Sequence, residues 1–218
     1  MKKKIGVALS GCGVYDGSEI HEAVLTLLAI DQNGAEAICM APDISLDEID
    51  HLTGKSTGTK RNVLCESARI ARGKIKDISD VKAADLDAII FPGGFGAAKN
   101  LCDFVSKGPG ATIQPDVARL LREMAAAKKP IGAICIAPAL LAVTLGKEYE
   151  PHLTVGSDTG TVAAINATGS SHVTCSVKDI VVDKKNKIVT TPAYMLAEQI
   201  SETAEGINNT VRALLELM

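Results

Sequence analysis

The feature that most constrains the fold is an apolar run that carries a cysteine to the start of a helix. Residues 131–138 read IGAICIAP, in which strand-forming residues lead to Cys135 and Pro138 stands where a helix begins. A thiol at this turn faces free N–H groups that stabilise an anion, which predicts a cysteine pKa lowered towards neutrality. The small neighbouring residues fit the nucleophile elbow of hydrolase folds. A buried core cysteine is the alternative, because free cysteine is among the most buried residue types.

Other apolar runs alternate with helical patterns along the chain. Strands are predicted at residues 5–10, 35–41 and 86–91, and helices at residues 19–32, 62–72, 116–127 and 196–217. Residues 180–191 alternate like a β-hairpin at a sheet edge. Since no linker composition interrupts residues 1–218, we expect one α/β domain with a mostly parallel sheet covered on both faces.

Glycine-rich turns follow two of the predicted strands. Residues 11–17 read GCGVYDG, a glycine spacing one residue longer than the Rossmann fingerprint, which disfavours a dinucleotide site. Residues 92–96 read PGGFG, and the N–H groups of such a turn suit an oxyanion, with a plain turn as the alternative. Ligands bind beyond the carboxyl ends of parallel strands, so Cys135, Gly93 and Gly94 are expected in one pocket.

The first helix has an unusual distribution of apolar residues. Asp16 and Glu19 are predicted to cap it as a pair, and Glu22 lies opposite its main apolar stripe, facing water by periodicity. The stripe consists of Ile20, Ala23, Val24, Leu27 and Leu28. Further apolar residues on the other side predict that a pocket or a partner subunit covers more than one face of the helix.

Composition excludes several classes of function. A net charge of −3 and an aromatic content of 3% argue against nucleic-acid binding. No segment approaches the roughly 18 apolar residues needed to span a membrane. The apolar run after Lys2–Lys4 is too short for a signal peptide, and six scattered cysteines show no CxxC pair, so a cytoplasmic protein is expected. Two irregular excursions, residues 42–61 and 102–115, are candidates for covering a site.

Several segments resemble a known superfamily. FPGGFGAAKNL at residues 91–101 and ICIAP at residues 134–138, with an early Glu22, resemble the ThiJ/PfpI superfamily of class I glutamine amidotransferase-like proteins. That superfamily includes the parkinsonism-associated deglycase. LSGCGVYDGSEIHE at residues 9–22 and IVTTPAYM at residues 188–195 resemble its ElbB-type glyoxalase branch. The resemblance extends along the whole chain and implies a flavodoxin-like three-layer sandwich, a homodimer, and no metal or organic cofactor.

The resemblance also implies roles for individual residues. Cys135 corresponds to the nucleophile and Glu22 to the acid beside it, while Gly93, Gly94 and the N–H of Ile136 correspond to the oxyanion pocket. Many superfamily peptidases and amidotransferases carry histidine directly after the cysteine, and Ile136 at that position makes both activities less favoured. The remaining histidines are expected to be surface or structural residues without metal-ligand spacing: His21, His51, His152 and His172.

Two functions are compatible with these residues. The first is a cofactor-independent glyoxalase that converts glyoxal or methylglyoxal to glycolate or lactate through a Cys135 hemithioacetal, with protein deglycase activity as a possible accompaniment. The second is a redox-responsive or partner-binding stress protein in which Cys135 is a sensor thiol, oxidised to a stabilised sulfinate. An exposed thiol of low pKa favours both functions, so the sequence does not separate them.

Overall fold

The computed structural model describes residues 2–218. The strands in chain order are β1 (Lys4–Ala8), β2 (Glu36–Ala41), β3 (Ser45–Asp50), β4 (Lys55–Asn62), β5 (Lys76–Asp77), β6 (Ala88–Phe91), β7 (Ile131–Ile134), β8 (His152–Leu153), β9 (Ser171–His172), β10 (Val181–Asp183) and β11 (Ile188–Thr191). The α-helices are α1 (Ile20–Gln32), α2 (Val63–Ile70), α3 (Phe95–Lys99), α4 (Phe104–Lys107), α5 (Pro115–Ala126), α6 (Pro138–Tyr149), α7 (Thr159–Ala167) and α8 (Ile200–Glu216).

A seven-stranded sheet forms the centre of the molecule, in the order β10-β11-β7-β6-β1-β2-β5. Neighbouring strands are parallel except for the antiparallel pair of β10 and β11, which is the predicted hairpin at the sheet edge. Every residue of β6 and β7 is buried, as expected for parallel strands covered on both faces. The prediction of an α/β fold with a mostly parallel central sheet is confirmed.

Helices pack on both faces of this sheet. Along β6, Ile89 and Phe91 belong to the apolar cluster that α5 and α6 complete, whereas Ile90 belongs to the opposite cluster with α1 and α8. This alternation follows from the two-residue period of a strand, which sends successive side chains to opposite faces. The predicted flavodoxin-like three-layer sandwich is therefore present.

Two glycine turns meet at the carboxyl edge of the sheet. The Glu19 N–H donates to the Gly93 carbonyl at 2.9 Å, and the Gly96 N–H donates to the Gly17 carbonyl at 2.9 Å. A Cβ on Gly96 would lie 2.6 Å from the Gly17 Cα, so this contact requires glycine. The glycines of residues 92–96 thus allow the turn after β6 to touch the turn after β1.

The two predicted excursions differ in structure. Residues 42–61 are not irregular: they form most of an antiparallel hairpin, β3 and β4, supported by ion pairs of Lys60 with Asp47 and of Arg61 with Glu48. The prediction missed it because β4 is polar and almost wholly exposed, so it has no apolar alternation. Residues 102–115 contain α4 and a short bridge between Cys102 and Ile113. None of the helices in residues 2–218 is long and apolar enough to cross a membrane.

Candidate active site

Cys135 lies at a strained turn between β7 and α6. Its φ is +62°, a left-handed conformation that costs a residue with a Cβ about 1–2 kcal/mol. The Cys135 N–H donates to the Thr191 carbonyl of the neighbouring strand at 2.9 Å, which holds the turn in place. No side chain caps α6, and the N–H groups of Ala139 and Leu140 at its start donate to the Ile136 and Ala137 carbonyls at 3.0 and 2.9 Å, so they are not free to face the thiol. The structure thus has the elbow geometry that the sequence predicts.

Glu22 is fully buried against this turn. Its Oε2 accepts the Gly93 N–H at 2.9 Å, its Oε1 accepts the Tyr194 N–H at 3.4 Å, and its carboxyl group lies beside the Cys135 side chain across Gly93. Helical periodicity alone, which placed Glu22 in water, was wrong. The side of α1 that carries Glu22 faces the protein, and Ile20, on the other side, is exposed.

Burial raises the pKa of both members of the pair. Desolvation, followed by the Glu19 carboxylate, raises the pKa of Glu22 to about 8, against the opposing hydrogen bonds from Cys135, Tyr194 and Gly93. Desolvation and the Glu22 charge raise the pKa of Cys135 well above its ordinary value, although the N–H groups of Gly94 and Ile136 oppose this. The prediction of a cysteine pKa lowered towards neutrality was therefore wrong, because burial and the Glu22 charge outweigh the N–H groups of Gly94 and Ile136.

The glycine turn at residues 92–96 differs in one respect from the expected oxyanion pocket. The N–H groups of Gly94 and Ile136 point at the Cys135 sulfur, but the Gly93 N–H is already engaged by Glu22. A Cβ on Gly93 would lie 2.5 Å from both the Cys135 Cβ and the Glu22 Oε2. Glycine at this position is what lets the thiol, the carboxyl group and the turn approach one another.

A cavity of about 520 Å³ opens beside Cys135. Gly94 and Ile136 line it next to the thiol, and Phe104 and Val105 contribute from the 102–115 excursion. The hairpin of β3 and β4 does not line this cavity. The remaining lining residues are Val14, Glu19, Phe95, Asp158, Gly160, Thr161, Ala164, Tyr194 and Met195.

The histidines stand apart from the cavity. None of the four lines it; His21 Nδ1 lies 2.8 Å from the Tyr194 hydroxyl, and His51 Nε2 lies 3.8 Å from an Asp16 carboxylate oxygen. Within residues 2–218 no group of three His, Cys, Asp or Glu side chains is placed to hold a metal ion. The polar groups next to the Cys135 thiol are the Glu22 carboxyl group and the N–H groups of Gly94 and Ile136.

Sequence reasoning missed two contributors to the site. Glu19 is the N-cap of α1: its Oε2 accepts the Glu22 N–H at 2.7 Å, whereas Asp16, the expected capping partner, accepts the Ile49 N–H at 2.9 Å. Tyr194 follows β11, the parallel neighbour of β7, and so emerges at the same sheet edge. The strand order, had it been known, would have placed Tyr194 at the site. For Glu19 the only signal in the sequence is its position three residues before Glu22.

A second, polar cavity of about 350 Å³ lies beside Cys12 under the β3–β4 hairpin. The cysteine is half-buried, and burial, Glu66 and Asp16 raise its pKa against the opposing charge of Arg69. Glu66 itself is paired with Arg61 at 3.3 Å and with Arg69 at 2.9 Å. Cys12 and Cys135 thus both lie at the carboxyl edge of the sheet, but Cys12 borders a polar cavity with ion pairs and Cys135 borders a mainly apolar one.

Comparison with known proteins agrees with the fold and extends it. Residues 74–194 match the DJ-1/PfpI family, a segment that includes Cys135 and the 93–94 turn but not Glu22. The chain is 47% identical over 228 residues to the human glutamine amidotransferase-like class 1 domain-containing protein 3, mitochondrial, covering 98% of this chain and 83% of that protein. It is 34% identical over 230 residues to the Danio rerio ES1 protein, mitochondrial, covering 98% and 85%.

Solved structures are similar over nearly the whole chain. The crystal structure of an isoprenoid biosynthesis protein with an amidotransferase-like domain from Ehrlichia chaffeensis superposes with a TM-score of 0.93 at 36% identity, covering 99% of each chain. Drosophila melanogaster DJ-1beta superposes with a TM-score of 0.61 at 18% identity, covering 100% and 98%, which is a likeness of fold alone. On the family match and the identity to its relatives, this chain belongs to the DJ-1/PfpI family.

Proposed function

We propose that this protein is a cofactor-independent glyoxalase of the ElbB-type branch, with Cys135 as nucleophile and Glu22 as proton carrier. The observation that carries the proposal is a fully buried carboxyl group, of raised pKa, beside the thiol at the elbow. Because carboxyl pKa values near the working pH favour proton transfer in both directions, such a pair suits isomerisation of a dicarbonyl.

The reaction is redox-neutral overall. The Glu22 carboxylate takes the thiol proton as the Cys135 sulfur adds to the aldehyde carbon of glyoxal or methylglyoxal, and it passes that proton to the resulting alkoxide to give a hemithioacetal. The carboxylate then removes the C–H proton of that same carbon, which gives an enediolate. The hydroxyl proton shifts from the first oxygen to the second, and Glu22 returns its proton to the adjacent carbon, which leaves a thioester of the 2-hydroxy acid on Cys135. Water cleaves the thioester, releasing glycolate or lactate and returning the proton to the thiol–carboxyl pair.

Backbone N–H groups supply the positive potential that this sequence of steps needs. The N–H groups of Gly94 and Ile136 already point at the sulfur, so an oxygen on the adduct carbon has donors within reach. Gly93 has a different role in this proposal: its N–H holds Glu22 in position at 2.9 Å. Deglycase activity on early glyoxal adducts would use the same residues.

The test is turnover of glyoxal by the wild type, Cys135→Ala and the matched control Cys12→Ala. We expect the loss at Cys135 to reach about 10³-fold or more, since removal of a nucleophile leaves only binding and oxyanion contacts. Cys12→Ala should retain wild-type turnover. Equal turnover by the wild type and Cys135→Ala would end the proposal.

The pH dependence provides a second readout. The Cys135–Glu22 pair releases its first proton near the raised pKa of Glu22, about 8, and that proton loss forms the reactive anion. We therefore expect kcat/KM to rise about tenfold per pH unit below this value and to level off above it. A profile that is flat between pH 6 and pH 9 would contradict this assignment.

A redox role is the second candidate function. The N–H groups at the Cys135 sulfur are suited to the oxygens of a sulfinate, which supports Cys135 as a sensor thiol in a stress protein. Mass spectrometry after mild peroxide treatment separates the cysteines. The sensor proposal fails if Cys135 gains no oxygen while other cysteines do.

Three further expectations accompany the proposal. We propose one domain over residues 1–218, because the sheet takes strands from both ends of the chain.

We also propose a homodimer whose interface is formed by α1. The outer face of that helix exposes Ile20, Val24 and Leu28 by 43%, 48% and 47%, at spacings that form one stripe. Sedimentation of Val24→Glu, which should be monomeric, tests the dimer.

The cytoplasmic location stays a prediction, and the names of the human and zebrafish relatives make mitochondria the alternative.

A further inference from the structure

The cavity beside Cys135 is much larger than the smallest dicarbonyls require. Its volume of about 520 Å³ lies in the range of roughly 300–1,000 Å³ that encloses drug-sized ligands. Apolar side chains form most of its wall: Val14, Phe95, Phe104, Val105, Ile136, Ala164 and Met195. Glyoxal or methylglyoxal would leave most of this surface in contact with water, so the wall suits a substrate with an apolar substituent.

The charged side chains of the cavity are all acidic. Glu19 and Asp158 line it, and no Lys, Arg or His occurs among its described lining residues. The nearby cations do not line the cavity: Lys99 Nζ donates to the Tyr15 carbonyl at 3.4 Å and lies 4.9 Å from the centre of the Phe95 ring, and Lys107 pairs with Asp103 at 2.6 Å. A negatively charged ligand would therefore meet two carboxylates without a compensating cation.

The helix that ends at the cavity does not offset this charge. The start of α7 would attract anions if its N–H groups were free, but Asp158 caps it. Its Oδ1 accepts both the N–H and the hydroxyl of Thr161 at 2.7 Å. The same hydrogen bonds lower the pKa of Asp158, which keeps it ionised at physiological pH. The exposed carboxylate of Asp158 thus occupies the position that an anionic substrate would need.

We propose that, given the glyoxalase activity above, the cavity selects uncharged 2-oxoaldehydes that carry an apolar substituent and discriminates against anionic ones. Phe104 and Val105 form the wall for the substituent, and Asp158 and Glu19 repel negative charge. The same repulsion favours departure of the 2-hydroxy acid, which leaves as a carboxylate. This assigns a specificity role to the 102–115 excursion and to the start of α7.

Two matched pairs of substrates test the preference in the wild type. A comparison of methylglyoxal with an alkylglyoxal of longer unbranched chain tests whether the apolar wall binds the substituent. The longer chain should raise kcat/KM about tenfold, which is the lower end of what one methylene contributes in an apolar pocket. Phenylglyoxal against its 4-carboxy derivative tests charge, and the anionic compound should be at least about tenfold poorer. Equal values within both pairs would overturn the proposal.

Variants assign the preference to residues. Asp158→Asn retains a good helix cap and should narrow the discrimination against the carboxylated substrate about threefold or more. Asp77→Asn is the matched control, since Asp77 Oδ1 also caps a short helical turn, accepting the Ser79 N–H at 2.9 Å, and does not line the cavity. Val105→Thr keeps the shape of a half-exposed side chain and should reduce the advantage of the longer alkyl chain. If Asp158→Asn and Asp77→Asn show the same discrimination against the carboxylated substrate, Asp158 does not set the charge preference.

A measurement without turnover separates this proposal from the glyoxalase function. The rate of Cys135 alkylation by neutral iodoacetamide and by anionic iodoacetate, followed on the Cys135 peptide, reports access of charge to the cavity. The wild type should favour iodoacetamide more strongly than Asp158→Asn does. If dicarbonyl turnover is absent but this ratio narrows in Asp158→Asn, the charge selection stands and the glyoxalase function fails. If the ratio is the same in both proteins, the charge selection is wrong whether or not turnover occurs.

Discussion

Cys135 and Cys12 both follow strands at the same edge of the sheet, and their environments differ in the group that neighbours the thiol. Burial raises the pKa of both. Beside Cys12, Glu66 is held by Arg61 and Arg69, so that carboxylate is already paired. Beside Cys135, Glu22 has backbone N–H groups and no cation, and its pKa is raised to about 8. Under the proposed function, a carboxyl group able to carry the proton, rather than a low thiol pKa, distinguishes Cys135 from Cys12.

Replacement of the glutamate next to each cysteine should produce the largest difference in kcat/KM between the two sites. Glu22→Gln keeps an acceptor for the Gly93 N–H but removes the proton carrier, so kcat/KM for glyoxal should fall about 10³-fold, within the range for a general acid–base group. Glu66→Gln should change it by less than about twofold, since Glu66 makes ion pairs on the other side of the edge. Similar losses in both variants would remove the distinction between the two cysteines.

Stability should depend on pH through Glu22. The native state holds the Glu22 proton up to about pH 8, whereas the unfolded chain releases it near 4.5. This stabilisation is complete below pH 4.5 and is lost as the pH rises to about 8. Relative to Glu22→Gln, the unfolding free energy of the wild type should fall by about 3–5 kcal/mol over this window, measured by urea unfolding. A difference independent of pH would mean that Glu22 is ionised in the native protein.

Glycine substitutions compare the packing of the two turns. Gly93→Ala would place a Cβ 2.5 Å from both the Cys135 Cβ and the Glu22 Oε2, so it should cost about 3 kcal/mol of stability. Gly13→Ala, next to Cys12, would place a Cβ 2.6 Å from the half-exposed His51 ring, which can move aside, and 2.8 Å from Asp16 Oδ1 at the end of a side chain. Its positive φ should still cost about 1 kcal/mol. Thermal unfolding of the two variants measures the difference, and the reverse order would contradict the tighter packing around Cys135.

Cys12→Ser should have the smallest effect. Cys12 is half-buried in a polar cavity, so the hydroxyl finds water or polar partners and stability should change by less than about 0.5 kcal/mol. The pH dependence of turnover should be that of the wild type. A shifted profile in Cys12→Ser would show that the two sites are coupled.

The sequence predicts the elbow well and the proton carrier poorly. Apolar runs and their order lead to a parallel sheet, and hence to Cys135, Gly93 and Gly94 at one edge. Helical periodicity fails for Glu22 because α1 has apolar residues on its exposed face and a carboxyl group on its buried one. Only the resemblance to a family placed Glu22 beside the thiol.

The other features that sequence patterns did not predict can each be explained by particular residues. The β3–β4 hairpin is polar and exposed, so its strands leave no apolar pattern to recognise. The raised pKa of Cys135 depends on the depth at which it is buried, which no spacing of residues records. Tyr194 and Asp158 join the cavity through strand order and through the position of α7, both of which are properties of the folded chain.

The central claim is that Glu22 carries a proton beside Cys135 at neutral pH. Infrared difference spectra between pH 7 and pH 10, recorded for the wild type and Glu22→Gln, test it directly through the carbonyl band of a protonated carboxyl group. We expect the wild type to show this band at pH 7 and to lose it with a midpoint near pH 8, while Glu22→Gln shows no such band. A wild-type spectrum without the band at pH 7, or one that loses it near the ordinary glutamate pKa, would contradict the claim.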